Sequence, residues 1–96
     1  MSTETTILDF QLSNTFEQYE SHIYAEEQQT MFKEMRVKTF YIGKSLDDPQ
    51  RATVIFQGLE NVLYDIFMNP ETKPIVESSG HIYEGKNITR WISLIN

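Results

Sequence analysis

Ninety-six residues, 40% of them hydrophobic, can build one core but not two, so the chain is expected to be a single domain over residues 1–96. The absence of cysteine excludes disulfides, thiolate metal sites and cysteine nucleophiles together. Fourteen acidic residues outnumber eight basic ones, for a net charge of −6, and the scattered basic residues form no stripe that could neutralise phosphates, so neither nucleic acid nor an anionic membrane surface is an expected partner.

Met1 to Thr6 carries neither a basic region nor an apolar stretch of the secretory kind, and no apolar run could cross a bilayer, which points to a cytoplasmic protein. Thr6 to Ser13 alternates Leu8, Phe10 and Leu12 against Ile7, Asp9 and Gln11, the period of a half-buried strand. Asn14 with Glu17, or Thr15 with Gln18, then has the spacing of a capping box that starts a helix. Phe16, Tyr19 and Ile23 give that helix an apolar face, Glu26 to Thr30 interrupts it, and Met31, Phe32 and Met35 resume it. The pattern predicts a bend or a break near residues 22 to 26.

Val37 to Lys44 and Ala52 to Gln57 are rich in β-branched and aromatic residues, and the Asp48-Pro49 turn between them predicts a hairpin. Leu59, Val62, Leu63, Ile66 and Phe67 fall at helical spacing and predict a second helix, stopped at Asn69-Pro70. A further short helix fits Thr72 to Ser79 with Pro74 near its start and Gly80 as its left-handed cap, and Asn87 to Leu94 predicts a fourth strand. The Asn87-Ile88-Thr89 tripeptide matches a glycosylation acceptor but lies in that strand, without a secretion signal. The order strand, helix, hairpin, helix, strand specifies an α+β chain of the ferredoxin-like β-α-β-β-α-β kind: a four-stranded antiparallel sheet with the helices on one face.

The other face of that sheet would be bare, yet both parities of every strand carry large apolar groups: Ile7 against Phe10, Tyr41 against Phe40 and Ile42, Ile55 against Val54 and Phe56, Trp91 against Ile92. A homodimer through the sheet face is the simplest cover. At about 25 cal/mol per Å² the covered apolar area offers gross stabilisation on the order of 10 kcal/mol, before association costs.

The residues Thr5-Thr6-Ile7-Leu8-Asp9-Phe10, the Phe16-Glu17 helix start, Ser45-Leu46-Asp47-Asp48-Pro49 and Glu77-Ser78-Ser79-Gly80-His81 together resemble a family of short, uncharacterised cyanobacterial proteins within the dimeric α+β barrel superfamily. The resemblance covers nearly the whole chain. It implies two sheets packed face to face into a barrel, helices outside, and a small-molecule cleft between helices and sheet. Branches of that superfamily include cofactor-free monooxygenases, haem-degrading oxygenases and lactone isomerases. The haem-degrading branch holds iron with a histidine on the second helix, and Leu59 to Met68 contains none; the single tryptophan, Trp91, lies on the last strand instead of mid-sheet.

Chemistry-bearing residues are few. His22, beside Tyr24 at the predicted bend, could enter the cleft as a general base. His81 follows the Gly80 cap. Tyr41 with Tyr64 and Tyr83 could supply phenols, and Arg90 beside Trp91 could hold a carboxylate. Asp9, if it points inward, needs a partner, for which Arg90 is the candidate. His22, Tyr24, Tyr41, His81, Arg90 and Trp91 are thus the ligand-binding candidates. Two histidines without acidic companions at helical spacing give no metal signature, and no phosphate loop or nucleophile elbow is present, so neither metal nor cofactor is expected. Two readings stand: a homodimer that binds a small molecule or a protein partner, and a cofactor-free small-molecule enzyme of the monooxygenase or isomerase type.

Overall fold

The computed structural model describes residues 3–93. Strand β1 (Thr3–Gln11) alternates strictly, with Glu4, Thr6, Leu8 and Phe10 buried and Thr3, Thr5, Ile7, Asp9 and Gln11 on the opposite face. It begins three residues earlier than the apolar pattern predicts, because Glu4 and Thr6 occupy core-facing positions that hydrophobicity does not mark. Of the two possible capping boxes, Thr15 with Gln18 forms, each side chain taking the other's backbone N–H. The interrupted apolar stripe resolves into two helices, α1 (Phe16–Ile23) and α2 (Glu26–Glu34), separated at Tyr24 and Ala25.

Strands β2 (Lys38–Lys44) and β3 (Arg51–Leu59) form the expected hairpin. Ser45 Oγ accepts the N–H groups of Asp47 and Asp48 at 3.2 Å each, and Asp48 Oδ1 accepts that of Gln50 at 3.0 Å, so the turn satisfies its own backbone. Leu59 departs from its predicted helix: it is the last residue of β3, paired with Thr3, and the helix α3 (Val62–Met68) starts only after Asn61 has turned the chain with φ of 73°. A short 3₁₀ turn, Pro70–Thr72, leads into α4 (Lys73–Glu77), which accepts Pro74 in its first turn, as the sequence requires. Strand β4 (Asn87–Ser93) closes the chain; Leu94, at the end of the predicted strand, lies outside the described residues.

The sheet order is β2-β3-β1-β4 and every pairing is antiparallel. Leu8, Phe10, Ala52, Val54 and Phe56 project from the two central strands onto one side, where Tyr19 and Ile23 of α1, Phe32 of α2 and Leu63 of α3 meet them in one buried cluster. The opposite face holds one apolar row, Tyr41 beside Ile55 beside Ile7, bounded by Thr53 and Asp9 on one side and by Gln57 and Thr5 on the other, where the Thr5 row ends in Trp91. The bare face is therefore a stripe, narrower than strand composition alone suggests. Of the hydrocarbon read at both parities, Leu8, Phe10, Val54 and Phe56 belong to the core, Ile7, Tyr41 and Ile55 to that row, and Phe40, Trp91 and Ile92 remain largely exposed outside both.

Gly80 follows α4 with φ of 99°, and its carbonyl accepts the Ser13 N–H at 2.8 Å. A Cβ at this position would overlap the Asn14 side chain, which itself donates to the Ser79 carbonyl at 3.1 Å. Gly80→Ala should therefore destabilise the fold by at least about 1–2 kcal/mol, the conformational cost alone, read as a lowered urea midpoint.

Candidate functional site

Core-facing positions on five elements carry rings, and the fold brings them into one array. Phe10 of β1 meets Tyr19 of α1 edge-on with centroids 5.2 Å apart, and Phe56 of β3 meets Phe32 of α2 in the same way at 5.4 Å. Between these pairs lies His81, delivered by the Gly80 turn. Its imidazole stacks on Phe10 at 3.9 Å, with planes 1° apart, and faces Phe67 of α3 at 5.7 Å and 16°. Phe67 in turn stacks over Phe56 at 6.2 Å.

Beside this array is a cavity of about 240 Å³ between the helices and the sheet. Its walls include Tyr19, His22, Phe32, Phe56, Phe67 and His81, with Met31 and the exposed Ile75 also in the lining, and no Asp, Glu, Lys or Arg contributes. Two of the lining hydroxyls are already committed as donors. Ser79 gives its proton to the Val76 carbonyl at 2.7 Å, and Thr72 gives its own to Asn69 at 2.8 Å and to Ile66.

His81 is 1% exposed and its Nε2 has no hydrogen-bond partner, an unusual state for a buried ring nitrogen. Burial, reinforced by the charge of Lys86, pushes the imidazole down to about 4 from its ordinary 6.5, so His81 is neutral at physiological pH. A neutral imidazole offers a hydrogen bond without a charge. Burial likewise pushes the Tyr19 phenol up, and it stays protonated.

Two of the six candidates from the sequence, His22 and His81, line the cavity. The other four lie elsewhere. Tyr24 caps α1 and is exposed; Tyr41 lies on the open sheet face across Gly43, where a Cβ would overlap its ring. Trp91, opposite Thr5 on that same face, donates Nε1–H to Thr89 Oγ1 at 3.1 Å. Arg90 sits opposite Thr6, on the helix side, where its guanidinium grips both oxygens of Glu4 at 3.0 and 3.3 Å, donates to Asn61, and lies 4.2 Å from the centre of the Tyr64 ring. The expected Asp9–Arg90 pair does not form, because alternation places the two on opposite faces; Asp9 pairs instead with Arg51 at 2.6 Å.

Glu4 is the residue that sequence reasoning missed. It is 3% exposed, and besides Arg90 it accepts the Asn61 N–H and the Thr6 hydroxyl, each at 2.9 Å. Burial alone would raise its carboxyl, but these bonds outweigh it and hold the group below its usual value. Extending the Phe10, Leu8, Thr6 parity by one more step would have found it. Among the described residues, no group of three or more potential ligands could hold a metal ion, and no helix is long and apolar enough to cross a membrane.

Comparison with known proteins agrees with this architecture. Residues 3–93 match the domain of unknown function DUF3764, and the chain belongs to that family. No curated protein matches the chain. Among solved structures, a protein from Bordetella bronchiseptica assigned provisionally as an antibiotic biosynthesis monooxygenase superposes with a TM-score of 0.61 at 12% identity, over 99% of this chain and 100% of that one. A dimeric ferredoxin-like protein from an uncultured marine organism superposes with a TM-score of 0.55 at 9% identity, over 100% of this chain and 91% of that one. At such identities the likeness is one of fold, and the fold is ferredoxin-like.

The depressed His81 pKa sets a pH dependence. The unfolded chain takes up this proton near 6.5 and the folded chain only near 4, so the contribution is complete above pH 6.5 and is lost as pH falls through that window. On the order of 2 kcal/mol should disappear between about pH 7.5 and 5, measured by urea unfolding, and His81→Phe should flatten the slope. Glu4 acts lower, beneath its ordinary 4.5, and leaves this window clear.

Proposed function

We propose that this member of the DUF3764 family is a cytoplasmic, homodimeric small-molecule-binding protein, its ligand seated between the helices and the sheet of each subunit. The observation that carries the proposal is the cavity itself: about 240 Å³ of ring-walled space between the helices and the sheet. A domain of this size gains by collapsing such a space, and keeping it open costs packing energy that a ligand would return. The dimer rests on the stripe of Tyr41, Ile55 and Ile7, flanked by Trp91, 60% exposed, and Phe40, 58% exposed. Two-fold pairing through these faces would cover both stripes at once. A cyanobacterial origin, implied by the motif resemblance, completes the reading.

One position favours a second reading. His22 is half-buried in the cavity wall, where it could act as a base in a cofactor-free enzyme. His81 serves that purpose poorly, since a group titrating near 4 is a weak base at neutral pH.

Indole at roughly ten times its Kd should raise Tm by about 6–11 °C, corresponding to ~1.4 kcal/mol, and Met35→Trp, which fills the cavity from the end of α2, should abolish that shift. A shift that survives His22→Ala would remove His22 as the catalytic candidate. Light scattering at micromolar concentration should report twice the 11.3 kDa chain mass, and Ile55→Lys should return the single-chain value.

A further inference from the structure

The cavity lining divides by element, and the division restricts which guest satisfies the binding reading on which this inference rests. Strand β3 and helices α3 and α4 supply hydrocarbon: Phe56, Leu63, Ile66, Phe67 and Val76. Phe56 and Phe67 stack at 6.2 Å with planes 19° apart, which favours a flat body laid on that side. The polar groups there are spent or closed off. Ser79 and Thr72 give their protons to backbone carbonyls, and His81 Nε2 is enclosed within its stack.

The free polar side chains come from the other side. Tyr19 and His22 lie three residues apart on one face of α1, and Gln28 stands in the first turn of α2, just past the joint at Tyr24 and Ala25. Tyr19 is 2% exposed, and among the described residues its hydroxyl has no hydrogen-bond partner; the His22 and Gln28 side chains have none either, whereas the neighbouring Gln29 is bound to the Ile23 carbonyl at 2.7 Å. A buried phenol left without a partner is a cost that a guest can remove. A cavity of ~150 Å³ holds one benzene ring and drug-sized ligands take upwards of ~300 Å³, so at about 240 Å³ the groups lining this one face the same small molecule. All three can donate, through a phenol O–H, an imidazole N–H and an amide NH₂. Neither Asp nor Glu lines the space, so an ammonium would lose its water without meeting a carboxylate, while a carbonyl or carboxylate oxygen would meet donors.

We infer that the cavity takes a small aromatic molecule bearing one carbonyl or carboxylate group, its ring against Phe56 and Phe67 and its oxygen held by Tyr19, His22 and Gln28 where α1 meets α2, and that it discriminates against amines. The guest is thereby oriented, with its polar end toward the first two helices.

Four ligands of one ring system test this by titration calorimetry at pH 7.5: 3-methylindole, indole-3-carbaldehyde, indole-3-carboxylate and indol-3-ylmethylammonium. At least one of the two oxygen ligands should bind roughly three- to tenfold more tightly than 3-methylindole, the worth of one or two buried hydrogen bonds, and the tighter of them tells a neutral carbonyl from an acid; the ammonium should bind at least about tenfold more weakly than 3-methylindole. Tyr19→Phe, which keeps the ring against Phe10, and Gln28→Leu should each reduce the oxygen ligand's advantage and leave 3-methylindole affinity within about twofold. In the unmutated protein, the side-chain NH₂ resonances of Gln28 should move with the oxygen ligand and stay in place with 3-methylindole, a readout that does not depend on a variant folding. Oxygen ligands no tighter than 3-methylindole, an ammonium that binds as well as they do, unmoved Gln28 resonances, or an advantage that survives in both variants would overturn the inference while leaving the cavity a binding site. Failure of all four ligands to bind would overturn the binding reading itself.

Discussion

The face-to-face contact of His81 with Phe10, at 3.9 Å and 1°, is the interaction around which the helix side of this protein is organised. It ties the segment after α4 to the central strand, and the backbone follows. Leu12 and His81 form an isolated bridge, the Ile82 N–H donates to Gln11 at 2.9 Å, and the Ser13 N–H donates to Gly80. Those bonds bring the chain back to β1 before β4 begins. The left-handed turn at Gly80 is the local condition for the contact, since without it the imidazole could not face the strand. The contact also demands neutrality. A protonated ring between two phenylalanines would be an unpaired charge in hydrocarbon, so the same packing that builds the wall of the cavity keeps that wall uncharged.

The other end of β1 is held by the opposite kind of chemistry. Glu4 is a buried carboxylate whose Arg90 partner is about one-third exposed, an arrangement that stabilises only when the remaining lone pairs are satisfied; here Thr6 and the Asn61 backbone complete the set. Asn61 is also where the chain turns into α3 with positive φ. The ionic cluster thus sets where α3 starts, and α3 carries Leu63, Ile66 and Phe67 into the cavity wall. Arg90 bears on the site through this chain of contacts, acting on the placement of a helix and not on a ligand.

What the residues reveal in advance follows from which interactions are periodic. The alternation of Leu8, Phe10 and Leu12, the Thr15–Gln18 cap, the Asp48-Pro49 turn and the spacing of Val62, Leu63, Ile66 and Phe67 are local signals, and the elements they predict are present with boundaries shifted by a few residues. Leu59 misled because an apolar residue at the end of a strand continues a helical spacing by coincidence, and only the positive φ at Asn61 separates the two elements. The site was legible only in part. His22 could be placed by its position on an amphipathic helix, but the importance of His81 depends on a ring 71 residues away in sequence, and no local pattern records that pairing. Glu4 was hidden for a related reason: it reads as an ordinary surface charge until the strands are aligned, and Arg90, singled out from the sequence as a carboxylate holder, was matched to Asp9 instead.

Strand β2 carries an irregularity that reaches beyond the single molecule. Its register against β3 slips between Thr39 and Tyr41, with Phe40 as the extra residue, and Lys38 holds its ammonium 5.4 Å from the Phe40 ring. This strand is a border of the sheet, the place where an identical neighbour could add itself by main-chain hydrogen bonding. A slipped ladder flanked by lysine offers a poor template for such growth. A chain that displays so many bare aromatic rings is in this way guarded along one border against endless lateral accretion into fibrils.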